Sequence, residues 1–427
     1  MPSPAVELLR QRGPMVAHEL CETLGISQST LSRSVSNNGD VLVVGAARST
    51  RYAARRAIPG LPESLSIYEV GNRASHRLGM LSPVYPRGFH FQGPPSLTGF
   101  YDDLPWFMHD LRPRGFLGRR LPRDFPQLGL PPDVRYWSGD HVLGWLNFEG
   151  VEVPGSLVVG GTAAHRACAG GEARSVTEAD YPSLAERALA DGFPGSCAAG
   201  EQPKFLARRD GVPVLVKFSP VVCDQPSARV ADLLRAEAMA LDDVARQGFE
   251  AASARVLESG GRVFLEVERF DRDPAGGRHG IVSLEALDAQ FVGRGHSWTD
   301  TCHHLLAQRR VARECARRAT WLDLFGAYIG NTDRHLGNLS FRFDQGRIGR
   351  LAPVYDMLPM HYFPRGSEVF DRPFPLPTLV EASPGDARSA LAAARAFWAA
   401  VAENVDISAS FRTVAAESGR RLSGAAG

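Results

Sequence analysis

At 427 residues the chain is long enough for two or three domains, and its 44% apolar and 22% charged content is that of an ordinary globular protein. A net charge of +1 removes any global electrostatic argument for nucleic acid, so a surface of that kind must be local. No apolar run approaches the ~20 residues of a membrane span and the start lacks a signal-peptide pattern, while the six scattered cysteines (Cys21, Cys168, Cys197, Cys223, Cys302, Cys315) include no Cys-x-x-Cys; a reduced cytoplasmic protein with no membrane partner is expected.

Residues 1–58 read as a first domain. Helices are expected over 5–12 and 16–24, with Leu20 and Leu24 on one face of the second. Gly25 permits a sharp turn, Ile26 plugs it, and Ser27 can cap a third helix running to about residue 36, with Leu31 and Val35 on its core side. The other side carries Gln28, Ser29, Thr30 and Arg33. Asn37-Asn38-Gly39-Asp40 signals a turn, Val41-Leu42-Val43-Val44 a strand, and Arg48, Arg51, Arg55 and Arg56 follow. Three helices, a wing and a basic tail describe a winged helix-turn-helix, with Gln28, Ser29, Thr30 and Arg33 placed to meet DNA. The competing reading is a small helical domain for protein contacts.

Pro59-Gly60-Leu61-Pro62 is a linker. Residues 64–150 alternate short apolar strands (65–70, 89–91) with Gly and Pro, include one helical stretch within 134–148, and form a small α+β module. The Gly- and Ala-rich stretch 151–180 is expected to be a mobile connection. A helical tail over 383–414 and frayed residues 417–427 end the chain.

Between them lie the residues that carry chemistry. A small-residue run, 192–203, includes Gly200 and Gln202 and leads into a strand at Lys204; glycines let backbone N–H groups approach phosphate closely. Val212-Pro213-Val214-Leu215-Val216-Lys217-Phe218 is an apolar strand holding one lysine, which costs several kcal/mol unless paired. Of 48 basic residues only Lys204 and Lys217 are lysines, and they lie in one segment. A helix over 229–248 offers Glu237 as the partner, with Asp232 and Asp242 as alternatives. The strand 263–272 emerges into polar residues, with Glu268 and Phe270 where a hinge would read adenine.

The most informative segment is Gly330-Asn331-Thr332-Asp333-Arg334-His335-Leu336-Gly337-Asn338, followed by Pro353-Val354-Tyr355-Asp356. A buried helix over 321–329 and a strand over 339–343 flank it, so the polar cluster sits in a tight loop between core elements. Protein kinases use such an Asp, Asn and second Asp to accept the substrate hydroxyl's proton and to hold Mg²⁺. Taken alone, Asn331-Thr332-Asp333 can also be read as an Asx-turn. His335 suits a loop-holding hydrogen bond better than a catalytic base. Cys302-His303-His304 looks metal-like, but adjacent side chains point apart and no second pair follows.

Together these residues resemble the HipA family of bacterial kinase toxins. The likeness runs through Gly200-Glu201-Gln202-Pro203-Lys204-Phe205, Leu215-Val216-Lys217-Phe218, Val267-Glu268-Arg269-Phe270-Asp271-Arg272, the 331–338 loop and Asp356, and covers about 64–400. With the fused amino-terminal domain the chain is similar to the single-chain, YjjJ-like branch. The resemblance implies an α+β, two-lobed fold distantly like protein kinases, with residues 64–150 as the amino-terminal subdomain and 181–427 as the kinase domain (N-lobe about 181–270, C-lobe about 271–415). It implies ATP- and Mg²⁺-dependent phosphorylation of a protein serine or threonine, an aminoacyl-tRNA synthetase in better-known members, and growth arrest. Asp333 would be catalytic; Asn338 and Asp356 would hold metal; Gly200, Gln202, Lys204, Lys217, Glu268 and Phe270 would bind nucleotide; Glu237 and His335 would support them. Family members can silence themselves by phosphorylating a loop serine; here Cys197 falls at that position with Ser196 beside it, so Ser196 is the one candidate. Partners expected are the protein substrate and DNA, with a homodimer left open. Two other classes compete: a DNA-binding regulator whose kinase-like domain senses nucleotide or scaffolds, and a small-molecule kinase of the aminoglycoside type.

Overall fold

The structure, a computed structural model, describes residues 3–35, 38–46, 49–169, 175–190, 202–377 and 382–424. Packing divides the chain into two compact units: Met1–Arg112, Pro122–Gly171 and Gln345–Arg347 form one, and Pro113–Leu121, Glu172–Asp344 and Ile348–Gly427 the other.

The first unit opens with α1 (Pro4–Arg12), β1 (Met15–Val16), α2 (Ala17–Leu24), α3 (Gln28–Val35), β2 (Val41–Val44) and β3 (Arg51–Ala54). Ser3 accepts from the Val6 N–H and Pro4 takes the first turn, where its missing donor costs nothing. Gly25, at φ +63°, ends α2 in the left-handed conformation that glycine adopts without strain. Ser27 Oγ then accepts from the Thr30 N–H at 3.2 Å and starts α3. Val6, Leu9, Leu20, Leu31, Val35, Val41 and Tyr52 make one core beneath a sheet of order β1-β3-β2. Gln28, Ser29, Thr30 and Arg33 are all exposed on α3. Within the expected basic tail Arg51 is exposed, whereas Arg56 pairs with Asp140, with Nη2 2.9 Å from Oδ1, and lies over the Phe89 ring. Arg48 lies outside the described residues.

Next come β4 (Leu65–Val70), β5 (Ser75–Pro83), β6 (Phe89–Gln92) and β7 (Gly99–Tyr101), two four-residue helices α4 (Gly115–Gly118), which belongs to the second unit, and α5 (Leu121–Asp124), then α6 (Gly139–Glu149), β8 (Leu157–Val159) and α7 (Gly161–Cys168). The sheet is antiparallel, of order β7-β6-β5-β4-β8. Here the expectation of a mobile connection over 151–180 fails for 157–168. Leu157, Val158 and Val159 are buried in the sheet beside β4, and Ala163, Ala164 and Ala167 of α7 pack against Val70, Val151 and Val158. A three-residue apolar strand and an alanine-faced helix have the composition of a linker; only their burial separates them from one.

The second unit holds β9 (Ser175–Val176), α8 (Tyr181–Ala190), β10 (Lys204–Arg209), β11 (Val212–Phe218), α9 (Gln225–Arg246), β12 (Ala254–Ser259) and β13 (Arg262–Glu268). Their sheet has order β12-β13-β11-β10-β9. Strand alternation sorts its side chains. Phe205, Val216, Phe218 and Phe264 meet Tyr181 and Ala185 of α8 on one face, and Val263, Leu265 and Val267 meet Ala231 and Leu234 of α9 on the other. The rest is β14 (Ile281–Ser283), α10 (Leu284–Phe291), α11 (Trp298–Ala307), α12 (Arg313–Tyr328), β15 (Ser340–Asp344), β16 (Arg347–Leu351), α13 (Pro384–Glu403) and α14 (Ala409–Gly424). The tail is two helices, and α14 continues to Gly424, into the stretch expected to fray, because Leu422 is fully buried and its carbonyl accepts from Arg395 at 2.6 Å. Among the described residues, no helix is long and apolar enough to cross a membrane.

Candidate active site

Register places both lysines. Lys204 and Lys217 are direct partners across β10 and β11, so their side chains leave the same face of the sheet. That face is the one toward α9, as Leu265, opposite Lys217 on β13, packs there. Lys217 is 4% exposed. Its ammonium lies 2.6 Å from Glu237 Oε1 and also bonds Asp356 Oδ1. Of the three acids that could have met it, α9 presents Glu237; Asp232 is taken by Ser408, whose N–H donates to Oδ1 at 2.9 Å.

This cluster sets its own electrostatics. Burial opposes the Lys217 charge, but Asp356 and Glu237 outweigh it and hold the ammonium protonated well above the usual lysine range. Burial also opposes the Asp356 carboxylate, and Lys217 and Lys204 together pull it below the usual range. Glu237 goes up, because it is fully buried and shares Lys217 with a second negative charge.

The loop after α12 shows that the two readings of Asn331-Thr332-Asp333 were never exclusive. Asn331 Oδ1 accepts from the Asp333 N–H at 3.0 Å, which is an Asx-turn, and the same side chain sends Nδ2 to the Asp356 carbonyl at 3.3 Å. One buried amide thus shapes the loop and ties it to the second Asp. Asn338 Nδ2 donates to the Asp333 carbonyl at 2.9 Å, closing the loop from its far end. Arg334 bonds the Asn331 carbonyl and Asp323 (Nε to Oδ1, 2.9 Å). Its side chain crosses Gly326 of α12, where a Cβ would stand 2.5 Å from Arg334 Cδ. Asp333 itself stays exposed to solvent. Partial burial and the negative charge of Asp356 push its carboxyl up against the pull of His335 and the two lysines. His335 does hold the loop: Nδ1 accepts from the Gly337 N–H at 3.1 Å and its carbonyl accepts from Trp298 Nε1 at 2.9 Å.

Asp356 has φ +52°, an uncommon conformation outside glycine that Asp tolerates better than most residues. Tyr355 before it fixes the approach. Its hydroxyl donates to the Gly337 carbonyl at 2.7 Å and lies 2.7 Å from Ser340 Oγ. Tyr355→Phe is expected to cost about 0.5–1.5 kcal/mol for each bond lost; a denaturant midpoint unchanged from wild type would show the hydroxyl to be idle. At the end of β13, Glu268 and Arg269 give their N–H groups to Ser253 (2.8 Å) and Pro213 (3.0 Å). The Phe270 carbonyl accepts from Arg342 at 3.1 Å, and its ring packs 5.5 Å from the Tyr355 ring. Gln202 is buried just before β10, and its amide nitrogen has no partner among the described residues. Gly200, Ser196 and Cys197 lie outside the described residues.

The arrangement therefore brings Lys217, Glu237, Asp356, Asn338 and Asp333 into one connected cluster, with Lys204 close enough to act on its charges. The sequence reading missed Asn331 as a tie between the two halves, and Tyr355.

Comparison with known proteins gives the family. Residues 61–168 match the model of the YjjJ-like toxin middle domain, and residues 196–420 that of the HipA-like C-terminal domain. The chain is 36% identical to Toxin YjjJ of Escherichia coli (strain K12) over 97% of its own length and 96% of that protein's. The chain belongs to the YjjJ-like toxins of the HipA family. A shorter likeness, 32% over 39% of the chain and 43% of the relative, links it to "Putative kinase Y4mE" of Sinorhizobium fredii (strain NBRC 101917 / NGR234). The HipA fold is shown by a solved structure: a chain of the Shewanella oneidensis MR-1 complex of HipA, HipB and operator DNA superposes with a TM-score of 0.52 at 13% identity, covering 84% of this chain and 95% of that one. The family's mixed α/β architecture is thus carried by a chain whose amino-terminal helices and whose lysine, carboxylate and amide cluster are part of one polypeptide.

Proposed function

We propose that this HipA-family toxin is an ATP- and Mg²⁺-dependent protein serine/threonine kinase that carries its own DNA-binding domain. One observation carries the reading: Lys217 is held between Glu237 and Asp356, while Asn331 binds Asp356 to the loop that displays Asp333. In this role Asp333 accepts the proton of the attacking hydroxyl, for which its exposure and raised carboxyl suit it. Lys217 and Lys204 steady the phosphates, Gln202 supplies its unpartnered buried amide, and Glu237 aims Lys217. Glu268 and Phe270, where β13 ends, border the adenine.

The residues suit the metal as well. Among the described residues there is no group of three His, Cys, Asp or Glu that could hold an ion, and Mg²⁺ asks for less: one or two protein oxygens, with water and phosphate completing its shell. Asn338, whose Nδ2 is taken by Asp333, is left with Oδ1 to offer beside Asp356. Mg²⁺ held there would neutralise charge on the phosphoryl oxygens. The substrate class by family likeness is a protein such as an aminoacyl-tRNA synthetase, met in the cytoplasm. The test is transfer of radiolabelled phosphate from ATP to protein in a cell lysate, wild type beside Asp333→Ala; equal labelling would leave the nucleotide-sensing regulator as the better account.

DNA is assigned to α3, whose Gln28, Ser29, Thr30 and Arg33 share an exposed face. Arg33→Ala is expected to weaken binding uniformly across sequences and to reduce the salt dependence of log K by roughly one. Titration at several salt concentrations checks this; an unchanged slope would remove Arg33 from the interface.

A further inference from the structure

Outside this cluster, the group that the fold alone explains least is Arg229. It lies on α9, eight residues before Glu237, and is 1% exposed. Its Nη2 is 2.8 Å from Asp371 Oδ1, and its guanidinium carbon stands 4.7 Å from the centre of the Phe411 ring. Nε, Nη1 and Nη2 all lack a hydrogen-bond partner among the described residues, so the contact with Asp371 is one of charge alone. A buried guanidinium with one carboxylate and one ring face is a poor source of stability, since an apolar side chain of similar size usually does as well.

Asp371 explains its presence. It belongs to the segment that follows Asp356, and that segment is fastened behind the catalytic loop. The His361 N–H donates to the Gly330 carbonyl at 2.9 Å, and His361 Nε2 lies 2.8 Å from the Arg372 carbonyl. Phe374 is buried, stacks on Trp398, and fills the space at Gly330, where a Cβ would stand 3.0 Å from its ring. Arg421 bonds the Phe374 carbonyl at 3.1 Å. The same stretch of chain thus touches the first residue of the Asp333 loop at one point and, through Asp371, the helix that carries Glu237 at another.

We propose that Arg229 and Asp371 are positioning residues whose ion pair straps residues 363–377 to α9, setting the nucleotide half and the phosphate-accepting half of the site together. Many kinases order the corresponding segment only when a phosphate added to it meets an arginine. Here a carboxylate already occupies that place, so the strap closes without any modification. The inference rests on the kinase reading for its consequence, though not for its geometry.

The test uses the full chain with Arg229→Met, Asp371→Asn and Asp371→Glu. Arg229→Met keeps the buried volume, so the unfolding midpoint should stay or rise. Amide exchange across 363–377 should accelerate by about tenfold or more in Arg229→Met and Asp371→Asn, and remain near wild type in Asp371→Glu. Phosphate transfer should fall by about tenfold in kcat in the first two, with the KM for ATP changed by less than about threefold. Unchanged exchange over 363–377 in Arg229→Met, or an Asp371→Glu protein that behaves like Asp371→Asn, would overturn the strap. A wild-type protein that transfers no phosphate would instead count against the kinase reading, and the exchange measurements would still decide the strap.

Discussion

Asp333→Ala should reduce phosphate transfer by about 10²–10⁴, the range that a positioned proton acceptor contributes, without unfolding the protein. The side chain is exposed, and the loop is built from its backbone: its N–H meets Asn331 and its carbonyl meets Asn338, and both survive truncation. Nucleotide affinity should therefore change little. The pH profile gives a second signature. Partial burial and Asp356 raise the Asp333 carboxyl, and the proton acceptor works only when deprotonated. Activity should accordingly fall as pH drops, and should begin to fall above the ordinary aspartate value of about 4. Asp356→Asn should be equally inactive for a different reason, through lost metal affinity, and should show it as a weaker response to added Mg²⁺. Stopped-assay rates across pH for wild type and both variants test the pair; full transfer in either variant would sink its assigned role.

Lys217→Met is expected to be the most damaging change to the fold of the site. It removes the one cation between two carboxylates and leaves Glu237, fully buried, with neither oxygen paired, since Oε2 has no partner even now. Breaking a buried pair from one side costs about 3–5 kcal/mol. Replacing both members with apolar groups should return much of that stability, so Lys217→Met with Glu237→Leu should unfold later than Lys217→Met alone while remaining inactive. Denaturation midpoints for the three proteins decide it: a double variant no more stable than the single would mean that the unpaired Glu237 is not the source of the loss.

These expectations rest on residues the sequence made visible to different degrees. Lys217 was legible because a lysine inside an apolar strand needs a partner, and Glu237 because it comes on the next helix. The loop from Gly330 to Asn338 was legible from spacing. Asn331 was not, since its second bond reaches 25 positions along the chain to Asp356, and no local pattern encodes that. Arg229 was hidden by its type: among 46 arginines, nothing in the sequence marks it as buried. Residues 157–168 were hidden by composition, because small and branched apolar residues fill both linkers and tightly packed interiors.

The facing pair Lys204 and Lys217 has a practical consequence. They are the chain's only side-chain primary amines. Any amine-selective acylating reagent therefore has no competing lysines to consume it, and apart from the α-amino group every adduct marks one face of this sheet. Lys217 is buried and held as an ammonium, so intact mass alone, without peptide mapping, would report whether a bound molecule shields Lys204. In most proteins such footprinting is blurred by dozens of surface lysines; this chain supplies a nearly blank background.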